Sequence, residues 1–246
     1  MKPSALIAKN ISCYYENKAI FEQLNIAIAD KKISAIMGPS GAGKSSLLNI
    51  LSGQVIPDMG KVTWQNKALT SQKKPLPFGI LFQNNALLLH LSVFENIALG
   101  LRYAKKLNES TIKEQVMQRL TEVGLEDAAE LYPEQLSGGM ARRVAIARAT
   151  IAKPKIMFFD EPFSGLDPPN SALIAKLIKK VSTRLQATTI IVTHEPYIAL
   201  ALCDEIYLLH EQKIYTHGSP NEIKANKDQV VQSFIQPKIE HSWGTY

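Results

Sequence analysis

Apolar and polar positions change period several times along the chain, and each change marks an element. Residues 1–37 read as strands: Ile26-Ala27-Ile28 is a short apolar run, Asp30-Lys31-Lys32 is turn material, and Ile33 to Met37 is an apolar strand leading into glycine. From Lys44 the spacing turns helical, with Leu47, Leu48, Ile50 and Leu51 on the buried side. Gly53 and the run Pro57-Asp58-Met59-Gly60 end that segment. Lys61-Val62-Thr63-Trp64-Gln65 then alternates as a half-exposed strand does, with Asn66-Lys67 as turn material.

The middle of the chain has a different texture. Residues 85–150 hold few β-branched runs, and Ile112, Val116, Leu120 and Val123 fall on one face of an amphipathic helix that Gly124 is placed to terminate. From about 155 strands and helices alternate again. Ile156–Phe159 and Thr189–Val192 are continuous apolar runs, as central parallel strands covered on both faces must be. Leu173, Ile174, Leu177, Ile178 and Val181 mark the helix between them. The pattern predicts a parallel α/β core built from two segments, 1–84 and 151–235, with a helical lobe at 85–150 inserted between them and a tail at 236–246.

Composition narrows the setting. The 246 residues suffice for one large domain or two small ones, and 46% hydrophobic with 20% charged is an ordinary globular balance. Against 22 acids stand 28 basic residues, giving +6, but they are scattered, so a basic surface accounts for them without a nucleic-acid partner. Cys13 and Cys203 are too few and too far apart for a disulfide framework or a zinc site, which suits a reducing compartment. The opening Met1-Lys2-Pro3-Ser4 leads into a short apolar run ended by Lys9, unlike a signal peptide. No apolar run approaches the ~18 residues of a span. The expected location is the cytoplasm, with any membrane role exercised through a partner.

Three stretches carry chemistry. Gly38-Pro39-Ser40-Gly41-Ala42-Gly43-Lys44-Ser45 lies between a strand and a helix, as a phosphate loop requires. Its glycines let successive N–H groups converge on phosphate oxygens, and the helix start adds partial positive charge. Lys44 is suited to reach the β- and γ-phosphates and Ser45 to ligate Mg2+, and Ser46 belongs to the same nucleotide-binding run. Asp160-Glu161 ends a buried strand, where bare carboxylates are costly without partners. Ligands bind at such strand ends, so Asp160 fits the Mg2+ side and Glu161 a general base for an attacking water. Ser137-Gly138-Gly139 opens an alanine-rich helix and offers a hydroxyl and bare N–H groups, a second anion site that one chain either uses itself or lends to a neighbour.

Taken together, these stretches resemble the ATP-binding cassette ATPases of ABC transporters, over nearly the whole chain from Tyr15 to about Gly218. Lys44 and Ser45 match the Walker A positions, Gln83 the Q-loop, and Ser137-Gly138-Gly139 the signature. Asp160 and Glu161 match Walker B and its catalytic glutamate, Asp167 in Ser164-Gly165-Leu166-Asp167 the D-loop, and His194 the switch histidine. Tyr15 matches the aromatic residue that stacks on adenine, with Tyr14 as its rival. The resemblance implies a P-loop NTPase (RecA-like) parallel-sheet core with an N-terminal antiparallel β subdomain and an inserted α-helical subdomain, within a single domain of 1–246. It implies ATP and Mg2+, the metal being arranged by Ser45, Gln83 and Asp160, and catalysis by Glu161, His194, Lys44 and Gln83. It also implies a head-to-tail homodimer in which each chain's signature completes the other's site, and contact with an integral-membrane permease dimer. The chain departs from the family's usual pattern at Met140, where glutamine is usual, and at Gly165, where alanine is common; neither removes a phosphate contact.

Ala35–Gly41, Leu136–Arg143 and Met157–Phe163 look more narrowly like the Mla-type ATPases. That resemblance implies phospholipid as cargo, a small STAS-domain protein and an MCE-domain protein as further partners, and the cytoplasmic face of the bacterial inner membrane. Another cargo (a lipoprotein, metal, amino acid or peptide) remains the alternative, because cargo is chosen by the permease. A cassette acting on nucleic acid or the ribosome is a third reading, but no coiled-coil, zinc or second-cassette insertion is visible. Ala86-Leu87-Leu88-Leu89-His90-Leu91 either lines a partner's groove or packs internally. Arg142 and Arg143 either steer phosphates or are solvated or paired with acids. The tail with Trp243 and Tyr246 is either loose or docks on a neighbour.

Overall fold

The N-terminal strands meet in an antiparallel sheet: β1 (Ser4–Tyr15) pairs with β2 (Lys18–Ala29) on one side and, on the other, with β4 (Met59–Trp64), which carries the short β5 (Lys67–Ala68). One face of this sheet is apolar, with Leu6, Ile11, Phe21, Leu24, Ile26 and Ile28 buried. Between β2 and β4 the chain forms β3 (Ile33–Met37) and helix α1 (Lys44–Leu51). The computed structural model describes residues 4–16, 18–69, 78–104 and 107–236. Trp243 and Tyr246, and with them the expected tail after residue 236, lie outside the described residues.

After β6 (Phe78–Leu81) come helices α2 (Val93–Ala104), α3 (Glu109–Glu122) and α4 (Gly138–Thr150). The remainder alternates: β7 (Ile156–Asp160), α5 (Pro168–Leu185), β8 (Thr188–Val192), α6 (Pro196–Leu202), β9 (Glu205–His210), β10 (Lys213–Gly218), α7 (Pro220–Ala225) and α8 (Gln229–Ile235). A second sheet takes the order β10-β9-β3-β8-β7-β6, parallel except for the antiparallel edge strand β10.

Every residue of β3, β7 and β8 is buried, in keeping with their mainly apolar sequences, and Ser34, Asp160, Thr188 and Thr189 are buried among them. Alternate side chains feed two cores. Ala35, Met37, Met157, Phe159 and Ile191 pack with the helices of the middle and C-terminal parts. Ile36, Ile156, Phe158, Ile190 and Val192 pack with α1 and the antiparallel sheet. Helix α1 is therefore clamped between the two sheets by Leu47, Leu48, Ile50 and Leu51, which gives the loop before it a rigid base. Among the described residues no helix is long and apolar enough to cross a membrane.

The structure departs from the sequence reading at three places. Met59 and Gly60 begin β4 instead of closing a turn. Gly60 has φ 86°, and a side chain there would run into the Lys9 and Asn10 carbonyl oxygens of β1, so this glycine permits strand pairing. Lys67 pairs with Trp64 and belongs to β5, the turn being made by Gln65 and Asn66 with φ 48° and 63°. Leu173 lies on the exposed side of α5, whose buried side is Ile174, Leu177, Ile178 and Val181.

Because β3, β6, β7 and β8 run parallel, their carboxyl ends share one edge. Ile36 is level with Val192, Asp160 with Val192, and Leu81 with Phe159. Gly38, Gln83, Glu161 and His194 follow those positions by one or two residues, and the topology thereby brings them to one place.

Candidate active site

The loop from Gly38 to Gly43 turns on glycines with left-handed backbone, Gly41 at φ 78° and Gly43 at φ 90°. A Cβ on Gly43 would stand 2.8 Å from Phe21 Cζ, so the close seat on β2 also excludes a side chain. Lys44, the first residue of α1, is buried, and its Nζ donates to the carbonyl oxygens of Gly38 and Pro39, 3.0 Å each. Burial pushes the Lys44 pKa down, opposed by the neighbouring Glu161 and Asp160 carboxylates.

At the end of β7, Asp160 accepts a hydrogen bond from Ser45 Oγ at 3.0 Å. Burial pushes the Asp160 carboxyl above its usual range and Glu161 adds to the shift, while the Ser45 hydrogen bond and Lys44 pull it back. Two hard oxygen donors in contact, one of them a buried carboxylate short of positive charge, fit a small divalent cation. Glu161 takes left-handed backbone (φ 46°), its N–H donates to the Val192 carbonyl at 2.9 Å, and its Oε2 lies 2.9 Å from His194 Nδ1. His194 is held in turn through Thr193, whose N–H donates to the Ile36 carbonyl at 3.2 Å and whose Oγ1 accepts the Glu195 N–H at 3.1 Å.

These groups border a cleft of about 510 Å³ lined by Ser40, Gly41, Gly43, Lys44, Ser45, Ser46, Gln83, Glu161 and His194. Gly38, Pro39 and Ala42 belong to the loop but not to the lining, and Asp160 stands behind Ser45. Tyr15 is 67% exposed at the end of β1 and does not line the cleft. The Tyr14 backbone N–H donates to Asp58 at 2.8 Å and its hydroxyl to Glu22 at 3.4 Å.

Ser137 caps α4, its Oγ accepting the Met140 N–H at 3.3 Å, and Gly138 and Gly139 form the first turn. Ser137 and Gly138 are exposed and, like Gly139, do not line the chain's own cleft. A Cβ on Gly139 would come within 3.0 Å of Asn170 Oδ1. Asp167 caps α5 through the Asn170 N–H at 2.8 Å and also accepts from Asn170 Nδ2 at 3.0 Å. Through Asn170, the starts of α4 and α5 adjoin.

The arginines of α4 bond to backbone carbonyls, and of the three only Arg142 is buried. Arg142 is 5% exposed and donates to the carbonyls of Gln83 (3.0 Å), Phe82 (3.4 Å) and Ser164 (3.4 Å). Arg143 donates to Val123 and Gly124 at 2.8 and 2.9 Å, where cationic charge suits the carbonyl end of α3. Arg148 donates to Ala86 at 2.7 Å and Asn85 at 3.1 Å. The signal for Arg142 was its position three and four residues before Ala145 and Ile146, on a helix face that is buried. Asn96 was also missed: fully buried, it bonds the Leu88 N–H and the carbonyls of Leu88, Leu91 and Ser92. That clamp presents Leu88 and Leu89 to solvent, while Leu87 packs against the core.

Comparison with known proteins agrees with this geometry. Residues 21–164 match the model of the ABC transporter family. The intermembrane phospholipid transport system ATP-binding protein MlaF of Haemophilus influenzae is 36% identical over 244 residues, covering 96% of this chain and 92% of that one. Among solved structures, cbiO1 from Clostridium perfringens, part of the ABC transporter complex cbiONQ, superposes with a TM-score of 0.82 at 29% identity and 96% coverage of both chains. The dimeric post-hydrolysis ATP-binding cassette MJ0796 bound to ADP and Pi superposes at 0.81 with 28% identity, covering 87% of this chain and 98% of that one. With a family match across more than half its length, and with Lys44, Ser45 and Glu161 lining one cleft, this chain belongs to the ABC transporter family as an ATP-binding cassette, an ATPase that works with ATP and Mg2+.

Proposed function

We propose that the chain is the ATP-hydrolysing subunit of a phospholipid transporter of the bacterial envelope, working as a homodimer on the cytoplasmic face of the inner membrane beneath an integral-membrane permease dimer. The observation that carries the ATPase part is the Glu161 carboxylate, held at 2.9 Å by His194 on the wall of the cleft that Lys44 and Ser45 also line. For the cargo, support comes from the identity with the phospholipid-system ATP-binding protein along nearly the full length of both chains.

In this reading the backbone N–H groups of Gly38–Ser46 wrap the phosphates, and Lys44 exchanges its carbonyl partners for phosphate oxygens. Ser45, Asp160 and Gln83 would hold Mg2+, which when bound would supply positive charge to offset that of the phosphates. Glu161 takes the proton of the attacking water, its buried carboxylate aimed by the His194 contact and by the backbone bond to Val192. His194 then faces the γ-phosphate. Tyr15, exposed at the end of β1, stacks on adenine. Ser137, Gly138 and Gly139 serve the ATP of the partner copy, and Asp167 stands at the seam between the two chains. This agrees with the exposure of Ser137, Gly138 and Asp167 and with the place of all four outside the chain's own cleft. A small STAS-domain protein and an MCE-domain protein complete the assembly, and cargo is chosen by the permease.

The cargo is tested by purifying the tagged chain from its native membrane in mild detergent and identifying the subunits and lipids that come with it. A permease with an MCE-domain partner and bound phospholipid is expected. A permease with a soluble solute-binding partner and no lipid would remove the phospholipid reading and leave the ATPase standing.

A further inference from the structure

Arg142 joins three pieces of the molecule that the site reading treats separately. It is rooted in α4, the helix that Ser137-Gly138-Gly139 open. One side of its guanidinium donates to the carbonyls of Phe82 and Gln83, and the other to that of Ser164, three residues beyond Glu161. All its bonded acceptors are neutral carbonyls, and its Nε is buried without a partner. A buried cation so placed is expensive to desolvate, as the downward push on its pKa reflects. An apolar side chain would fill the space at lower cost, so what the guanidinium adds is a rigid fork able to grip two loops at once. Six residues on, Arg148 takes the carbonyls of Asn85 and Ala86, so α4 grips the segment after β6 at four carbonyls.

We infer that Arg142 is a positioning residue that links the two nucleotide sites of the dimer, by fixing Gln83 of its own chain's site to the helix that lends Ser137 to the partner's site. This rests on the proposed shared-site reading. In it, Gln83 and the loop from Glu161 to Asp167 cannot shift independently of α4, so engagement of the signature by the partner's ATP sets the position of Gln83 in the chain's own cleft. Loss of the fork leaves the phosphate loop intact, because Lys44 and α1 are held by other contacts.

The test uses the full chain together with the membrane subunits that purify with it. Arg142→Met is assayed for affinity with trinitrophenyl-ATP and for steady-state phosphate release. The expected result is affinity and KM within about twofold of the parent and kcat lower by about tenfold or more, a misplacement effect. Arg142→Lys keeps the charge but reaches one loop at a time, and recovers only part of the loss. If Arg142→Met does not fold, hydrogen exchange of Arg142→Lys carries the test: residues 82–86 and 164–167 exchange faster while 44–51 do not change. A kcat within about twofold of the parent in a folded Arg142→Met, affinity and kcat falling together, or unchanged exchange in Arg142→Lys each overturns the inference. Lys44→Ala separates the two levels. If it retains normal turnover, the cleft reading itself has failed; if it is dead while Arg142→Met is normal, only the link has.

Discussion

His194 Nδ1 lies 2.9 Å from Glu161 Oε2, and the Glu161 backbone is pinned by its N–H to Val192, so the carboxylate is aimed from both ends. Glu161→Gln keeps the shape and a polar contact to His194 but removes the proposed base. Turnover is expected to fall by roughly 100-fold or more with ATP affinity little changed. Phosphate release measured beside nucleotide binding checks this, and near-normal release would remove Glu161 from the base role.

Asp160 sets site chemistry against stability. Its folded pKa is raised above the ordinary 3.8, first by burial, so the folded protein holds this proton to higher pH than the unfolded chain does. The associated stability is present below 3.8 and is lost as pH rises through the folded value. At neutral pH the bare carboxylate is thus a net burden. Asp160→Asn is expected to melt at the same or a higher temperature than the parent in chelator at pH 7, to lose the decline in stability above pH 3.8, and to lose Mg2+-dependent turnover. Thermal melts across pH decide it; a lower melting temperature in chelator would mean that the carboxylate is stabilising as it stands.

Phe158 is fully buried and meets Phe78 edge-on, with ring centroids 5.4 Å apart. Phe158→Ala is expected to cost about 3–5 kcal/mol and roughly 6–20 °C in melting temperature. Leu89→Ala, at a position 62% exposed, is the control and should leave the melt unchanged. Equal melts for both variants would contradict the assignment of Phe158 to the core.

Much of this is legible in the sequence itself, for physical reasons that differ by element. The strands β3, β7 and β8 are legible because burial on both faces favours apolar side chains, the buried exceptions being Ser34, Asp160, Thr188 and Thr189. The phosphate loop is readable because positive φ at Gly41 and Gly43 demands glycine. The burial of Arg142 is not legible because charge at a helix start normally faces water, and only tertiary packing brings backbone carbonyls from distant loops to it. Gly60 was misread because glycine signals both turns and close strand approach, and the local sequence does not distinguish the two. Leu173 falls one residue outside the helical period: the buried face of α5 runs through Ser171, Ile174, Leu177, Ile178 and Val181, and residue type alone does not set a face's edge.

The central claim is that one chain's signature serves another chain's ATP, since Ser137 and Gly138 are exposed away from the cleft that Lys44 lines. Ser137→Arg tests it most directly when ATP affinity and turnover are measured on the same preparation. The account predicts affinity within about twofold of the parent and turnover reduced by roughly 100-fold or more, because binding is local to one chain and hydrolysis is not. Undiminished turnover in that variant would contradict it.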